Sequence, residues 1–151
     1  MHVKKLIVVS DACCQILDAH LPGRARTGKA ACGAVYLKEE KKPENKLEER
    51  GKYLGEMTVP ESEYSGLIFA LDHASEMCRD DIEVWLDNEL VVKHLTGKYK
   101  LKAENLKPLF DKVKSLENRY KNVTYYHHSR NNVMAQEADK VAHEHLKLSQ
   151  G

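Results

Sequence analysis

Residues 3–14 read VKKLIVVSDACC. Leu6, Ile7, Val8 and Val9 form an unbroken apolar run rich in branched side chains. A strand with one wet face alternates apolar and polar residues, so a continuous run suits a central strand covered on both faces. The strand is expected to end at Asp11. Ligand sites in α/β folds gather at the carboxyl ends of such strands, which makes the position of this Asp worth following.

After a segment holding Pro22, Gly23 and Gly28, residues 30–37 (AACGAVYL) read as a second strand, and residues 38–46, with Pro43, as a turn. A third, more polar strand is expected within residues 48–58, where lysines and glutamates suit a solvated edge that discourages pairing with another chain. From Pro60 the period changes. Tyr64, Leu67, Ile68, Leu71, Ala74 and Cys78 follow helical spacing behind a proline fitted to a first turn. Residues 82–86 (IEVWL) predict a short strand, residues 87–95 a short helix, and Leu106, Leu109, Phe110, Val113 and Leu116 an amphipathic helix beyond Gly97. Residues 123–127 (VTYYH) predict the last strand, and Met134, Ala138, Val141, Ala142 and His145 one face of a C-terminal helix. This order predicts an α/β fold, a mixed sheet flanked by helices with right-handed crossovers at its parallel joins.

The chain of 151 residues fits one domain, residues 1–151, with room for a core. Apolar residues at 42% and charged residues at 31% are those of a soluble globular protein and exclude disordered and collagen-like classes. With 24 Lys and Arg against 23 Asp and Glu, no global electrostatic grip on nucleic acid is expected, only local basic patches. No apolar run has the length of a bilayer span and residues 1–10 do not read as a secretory signal, so a cytoplasmic protein without a membrane partner is expected. Cys13, Cys14, Cys32 and Cys78 lack the paired spacing of a zinc site and the density of a disulfide scaffold, and read as reduced thiols.

Four carboxylates stand at the ends of predicted elements: Asp11 and Asp87 after strands, Glu63 in an opening helix, Asp139 in the first turns of the last helix. Each alone is accounted for as a turn former or a partner of the helix dipole. Together they mean more. If the strands ending in Asp11 and Asp87 are adjacent and parallel, their carboxylates emerge side by side, and the two helical carboxylates close a cluster that repels itself unless a cation neutralises it. Oxygen-only donors select hard ions such as Mg²⁺ or Mn²⁺, and two ions about 4 Å apart serve phosphodiester hydrolysis. Glu63 falls nearer the apolar stripe than Glu61, so Glu63 is the inward candidate and Glu61 the solvated one. The small Ala135, Ala138 and Ala142 would let the last helix approach the sheet closely.

The ordered set SDACC (10–14), ESEYSGLIFAL (61–71), VWLDNELVV (84–92) and QEADKVA (136–142) resembles the ribonuclease HI family in its compact archaeal and bacterial form. The resemblance implies a ribonuclease H-like fold with a five-stranded mixed sheet, three antiparallel strands followed by two parallel ones. It implies hydrolysis of the RNA strand of RNA/DNA hybrids, with two ions of Mg²⁺ or Mn²⁺, leaving 5′-phosphate and 3′-hydroxyl ends. Asp11, Glu63, Asp87 and Asp139 are then the metal ligands, and the family histidine falls on His128, with His127 as its competitor. Substrate contacts are implied for Cys14, Asn88, Lys29, Lys98, Lys100 and Arg130, and the enzyme would be a monomer whose partner is the hybrid duplex. The segment GKYKLKAENLKPLF (97–110) resembles the short form of the region that carries a tryptophan-rich basic protrusion in larger relatives. Two departures stand out: Leu21-Pro22-Gly23 replaces an Asn-Pro-Gly turn within a longer loop, residues 15–29, and Thr58-Val59-Pro60 stands where Thr-Asn-Asn is common.

Arg24, Arg26 and Lys29 in the first loop, and Lys93, Lys98, Lys100, Lys102 and Lys107 beyond the third carboxylate, would straddle a duplex and hold its phosphates without reading sequence. Two other readings stay open: a non-catalytic nucleic-acid-binding module of this fold, and a nuclease of this fold that acts on another duplex.

Overall fold

The structure, a computed structural model, describes residues 2–16 and 26–150. Strands β1 (Lys5–Ile16), β2 (Thr27–Lys38) and β3 (Lys46–Thr58) form an antiparallel meander. Helix α1 (Val59–Ala74), strand β4 (Asp81–Leu86), helices α2 (Glu89–Leu95) and α3 (Lys107–Glu117), strand β5 (Asn122–His127) and helix α4 (Val133–Gln150) follow. The sheet runs β3-β2-β1-β4-β5, with β1 parallel to β4 and β4 parallel to β5. The expected five-stranded mixed sheet, three strands antiparallel and then two parallel, is the one this chain forms. Among the described residues no helix is long and apolar enough to cross a membrane.

The apolar run in β1 is the centre of the molecule. Leu6 and Val8 pack into the core under α1 and α3, while Ile7 and Val9 join Val35, Leu37, Met134 and Ala138 under α4. Successive strand side chains point to opposite faces, so a run of four serves two cores at once. Each fully buried aliphatic side chain contributes about 1.5–3 kcal/mol.

The expected end of β1 is corrected. Pairing with β4 covers Lys5 to Val9, but pairing with β2 continues as far as Ile16 opposite Gly28. Asp11 therefore lies inside a strand, just past the point where β4 has turned away, rather than at a strand end. The two ends of the expected first loop are strand: Gln15, Ile16 and Thr27 to Lys29 pair in β1 and β2, while Leu21, Pro22, Gly23 and Arg24 lie outside the described residues.

Helix α1 opens with a reciprocal cap. Thr58 Oγ1 accepts from the Glu61 backbone N–H at 3.2 Å, and Glu61 Oε1 accepts from the Thr58 N–H at 2.9 Å. Two otherwise orphaned donors are satisfied, with Pro60 in the first turn. Glu61 is thus tied into the cap instead of being solvated, and Thr58 has its hydroxyl engaged within the fold. At the other end, α1 stops at Ala74, and Cys78 is buried in the turn beyond it.

Candidate active site

Two glycines bring the helices onto Asp11. Gly33 lies opposite Asp11 in the β1–β2 pairing, and a Cβ there would come within 2.3 Å of the Ala138 carbonyl oxygen and 2.7 Å of the Ala142 nitrogen. Only a hydrogen fits, so the backbone of α4 rests directly on the sheet and delivers Asp139 beside Asp11. On the opposite face, a Cβ on Gly66 would stand 2.9 Å from the Cys32 Cβ and 3.5 Å from the Asp11 carbonyl oxygen. The first turns of α1 are held equally close and present Glu63. Asp87 follows β4, the parallel neighbour of β1.

Carboxylate oxygens of Asp11, Glu63 and Asp87 all lie within 4.8 Å of one another. Asp139 stands beside this trio and adds to the forces that raise the proton affinity of Asp11. All four line one cavity of about 410 Å³, together with Arg130 and His143. Burial and the neighbouring charges of Asp87 and Glu63 raise the Asp11 carboxyl far above the ordinary carboxylate range. Glu63 is pushed up to about 8, first by burial and then by Asp87, against the opposing pull of Arg130. Ionising such a cluster in the bare protein is costly, and a divalent cation removes the cost. Hard oxygen donors at this spacing fit an ion such as Mg²⁺ or Mn²⁺.

The expected substrate residues divide into two groups. Arg130 lines the cavity, its side chain 89% exposed and its Nε 3.6 Å from Asp87 Oδ2. Cys14 also lines it, half-buried, with Sγ 3.4 Å from the Met57 carbonyl oxygen. Asn88 caps α2 by accepting from the Val91 N–H at 3.2 Å, which leaves its amide NH₂ free of that bond. Lys29 on β2 and Lys98 and Lys100 beyond α2 are exposed and stand outside the cavity wall.

His128 does not line the cavity either, contrary to expectation. It is 7% exposed, with Nδ1 3.0 Å from Lys41 Nζ and its ring 5.7 Å from that of Trp85. Burial, then the Lys41 charge, lowers it to about 4, so its ring is neutral and accepts from Lys41 at neutral pH. His127 points away toward α2, with Nδ1 3.8 Å from Glu89 Oε2. Two cavity residues escaped the sequence reading, Gln136 and His143. Only His143 left a usable signal, its spacing of four residues from Asp139 on a helix.

A five-stranded sheet in this order, with carboxylates gathered where β1 and β4 part, defines a ribonuclease H-like domain. The model of the family described as reverse transcriptase-like matches residues 22–145. Among characterised sequences, the chain is 28% identical over 110 residues to the bifunctional protein Rv2228c of Mycobacterium tuberculosis, covering 73% of this chain and 30% of that protein. It spans about a third of the length of the curated relatives it matches. Among solved structures, ribonuclease H1 of Halobacterium salinarum superposes with a TM-score of 0.79 at 26% identity, over 95% of this chain and 98% of that one. LC11-RNase H1, isolated from compost and crystallised in complex with an RNA/DNA hybrid, gives 0.78 at 26% identity over 97% and 99%. The chain belongs to the reverse transcriptase-like family and, within it, to the ribonuclease HI type.

Proposed function

We propose that this chain hydrolyses the RNA strand of RNA/DNA hybrids, using two divalent ions, Mg²⁺ or Mn²⁺, and leaving 5′-phosphate and 3′-hydroxyl ends. The observation that carries the reading is the Asp11–Glu63–Asp87 cluster, whose three oxygens stand within 4.8 Å with raised proton affinity at Asp11 and Glu63. A binding module has no use for mutually repelling carboxylates, whereas a metal centre requires them. When bound, two such ions activate a water and stabilise the leaving oxygen of a phosphodiester. Asp11 would serve both ions, with Glu63 and Asp87 beside it for one and Asp139 beside it for the other.

Arg130, exposed at the cavity mouth, holds a substrate phosphate. Cys14 and the Asn88 amide face the RNA strand, where 2′-hydroxyl contacts separate RNA from DNA. Lys29, Lys98 and Lys100, outside the cavity, hold phosphates farther along the duplex, so cleavage is largely independent of sequence. His128 supports the loop that carries Arg130 instead of transferring a proton.

The test is incubation of the protein with labelled RNA/DNA, RNA/RNA and DNA/DNA duplexes, each with Mg²⁺, Mn²⁺ or excess chelator. Cleavage confined to the RNA of the hybrid and abolished by chelator is the expected result. Activity that persists in chelator overturns the metal reading, and cleavage of another duplex in preference to the hybrid overturns the substrate.

A further inference from the structure

Helix α4 packs mainly on β1, β2 and β3, so the same face of β4 and β5 lies beyond its main contacts. There Trp85 and Tyr126, partners across the β4–β5 pairing, stack with ring centres 4.9 Å apart. Trp85 is engaged, with Lys41 Nζ 3.7 Å over its ring and its Nε1 donating to Glu83 at 2.8 Å. Tyr126 is the open member, 42% exposed. A lone exposed aromatic residue needs no explanation. This one is fixed against a second ring and stands close to the cavity. Trp85 precedes Asp87 by two residues, roughly 7 Å at strand rise or about two base steps of a nucleic-acid strand. The charges around the pair favour an anion. Glu83 is compensated by Lys5 at 3.4 Å as well as by the Trp85 N–H. Lys41 meets the neutral ring of His128 at 3.0 Å in place of a carboxylate, and Arg130, on the cavity side, is 89% exposed.

Aromatic faces flanked by cations hold single-stranded nucleic acid with little regard to sequence. A base inside a duplex has both faces covered by its neighbours, so only an unpaired nucleotide offers a face to Tyr126. We propose that Tyr126, backed by Trp85 and flanked by Lys41 and Arg130, binds an unpaired nucleotide where a strand leaves the hybrid beside the cavity. The inference rests on the reading of that cavity as a nucleic-acid site. It adds to that reading a preference for hybrids that run into a single-stranded stretch, expressed in KM and not in kcat, because the platform lies apart from the reacting phosphate.

Two measurements on the full chain test this. In the first, a labelled oligodeoxythymidylate, which holds no RNA to cleave, is titrated with protein. Its anisotropy gives the affinity, and the fluorescence of Trp85, the one tryptophan of the chain, reports contact with the platform. In the second, KM and kcat are compared for a blunt hybrid and for hybrids with a single-stranded extension of the RNA or the DNA strand at either end. Wild type is expected to show Trp85 quenched by the oligonucleotide. At least one extended hybrid should have a KM about tenfold lower than the blunt one at unchanged kcat, the scale of one base stacked on an aromatic ring. Tyr126→Ala should weaken the oligonucleotide by about that factor and erase the KM difference, whereas Tyr126→Phe, which keeps the ring, should retain both. Denaturant midpoints check that the variants are folded. Equal KM for the blunt and every extended hybrid in wild type, or a difference that survives in Tyr126→Ala, overturns this inference and leaves the hydrolytic reading standing. Self-association that Tyr126→Ala abolishes, without strand binding, gives the platform to a second copy of the chain and also overturns it. Failure of wild type to cleave any hybrid overturns the hydrolytic reading, and the oligonucleotide titration then decides this inference by itself.

Discussion

Trp85 and His128 lie two residues before Asp87 and Arg130 on the same two stretches of chain, yet the two layers are built on opposite electrostatics. In the upper layer, Asp11, Glu63 and Asp87 crowd within 4.8 Å and raise one another's proton affinity. In the lower layer every group has its complement. Lys41 Nζ contacts His128 Nδ1 at 3.0 Å and lies 3.7 Å over the Trp85 ring, Trp85 stacks on Tyr126 at 4.9 Å, and its Nε1 donates to Glu83 at 2.8 Å. A buried histidine supplied with partners is electrostatically satisfied, whereas carboxylates in conflict favour a cation. Residue type does not separate the two cases; the balance of charge around each group does.

The largest effect should come from breaking the conflict itself. Asp11→Asn is expected to abolish turnover with either Mg²⁺ or Mn²⁺, because it removes the most buried carboxylate of the Asp11–Glu63–Asp87 cluster proposed to hold metal. It should also stabilise the metal-free protein, since an isosteric amide takes a charge away from beside Glu63, Asp87 and Asp139. The sign of the pH dependence follows from Glu63. Its folded value near 8 against an ordinary 4.5 means that the folded chain holds a proton which the unfolded chain releases in that window. The contribution of Glu63 to the stability of metal-free wild type is therefore fully present below about 4.5 and is lost as pH rises toward 8, opposed below 6.5 by the lowered His128. Thermal unfolding in chelator should show Tm dropping between pH 6.5 and 8, above the His128 window, with a shallower drop in Asp11→Asn and in saturating Mg²⁺. A variant markedly less stable than wild type would make Asp11 a structural residue.

The two layers were unequally legible in the sequence. The apolar run at Leu6 to Val9, the change of period at Pro60 and the small residues of α4 are local patterns, and each led to the right element. The choice of Glu63 over Glu61 followed from the same helical wheel. The fate of Glu61 does not, although Thr58-x-x-Glu61 is the spacing of a reciprocal cap. The extent of β1 beyond Asp11 depends on pairing with β2, which Ala12, Cys13 and Cys14 do not announce. His128 was misplaced for a more distant reason. The amine that engages it comes from Lys41, 87 residues earlier on the connection between β2 and β3, and no local pattern reports that meeting.

The intermediate effects sharpen the contrast between neighbours. Arg130→Ala should leave stability within about 0.5 kcal/mol, because the side chain is 89% exposed. Its loss should raise KM about 10–100-fold, the equivalent of one or two charge-assisted bonds to phosphate. His128→Ala should behave in the reverse manner. It leaves a cavity beside Trp85 and strips Lys41 of its acceptor, at a cost of about 1–3 kcal/mol, while turnover falls less than about tenfold. Denaturant midpoints and steady-state kinetics of the two variants decide between the assignments. A loss of kcat in His128→Ala larger than that of Arg130→Ala, at unchanged stability, would return the histidine to the mechanism.

The smallest effect is expected at His127, and it isolates the direction of a side chain from its chemistry. His127 is the last residue of β5, and the His128 N–H donates to the Leu86 carbonyl at 3.0 Å, so the two histidines continue one pleat. Successive side chains on a pleat point to opposite faces. His128 accordingly meets Lys41 and Trp85 on the α4 side, and His127 meets Glu89 of α2 across 3.8 Å. Both members of that second pair are well exposed, at 38% and 60%, where an ion pair is worth a few tenths of a kcal/mol at most. His127→Ala should therefore leave kcat, KM and the denaturant midpoint within about 0.5 kcal/mol of wild type. If turnover instead fell further in His127→Ala than in His128→Ala, the α2 face of β5 would be the one that meets the substrate. The ordering of the two layers proposed for Trp85, Asp87, His128 and Arg130 would then have to be reversed.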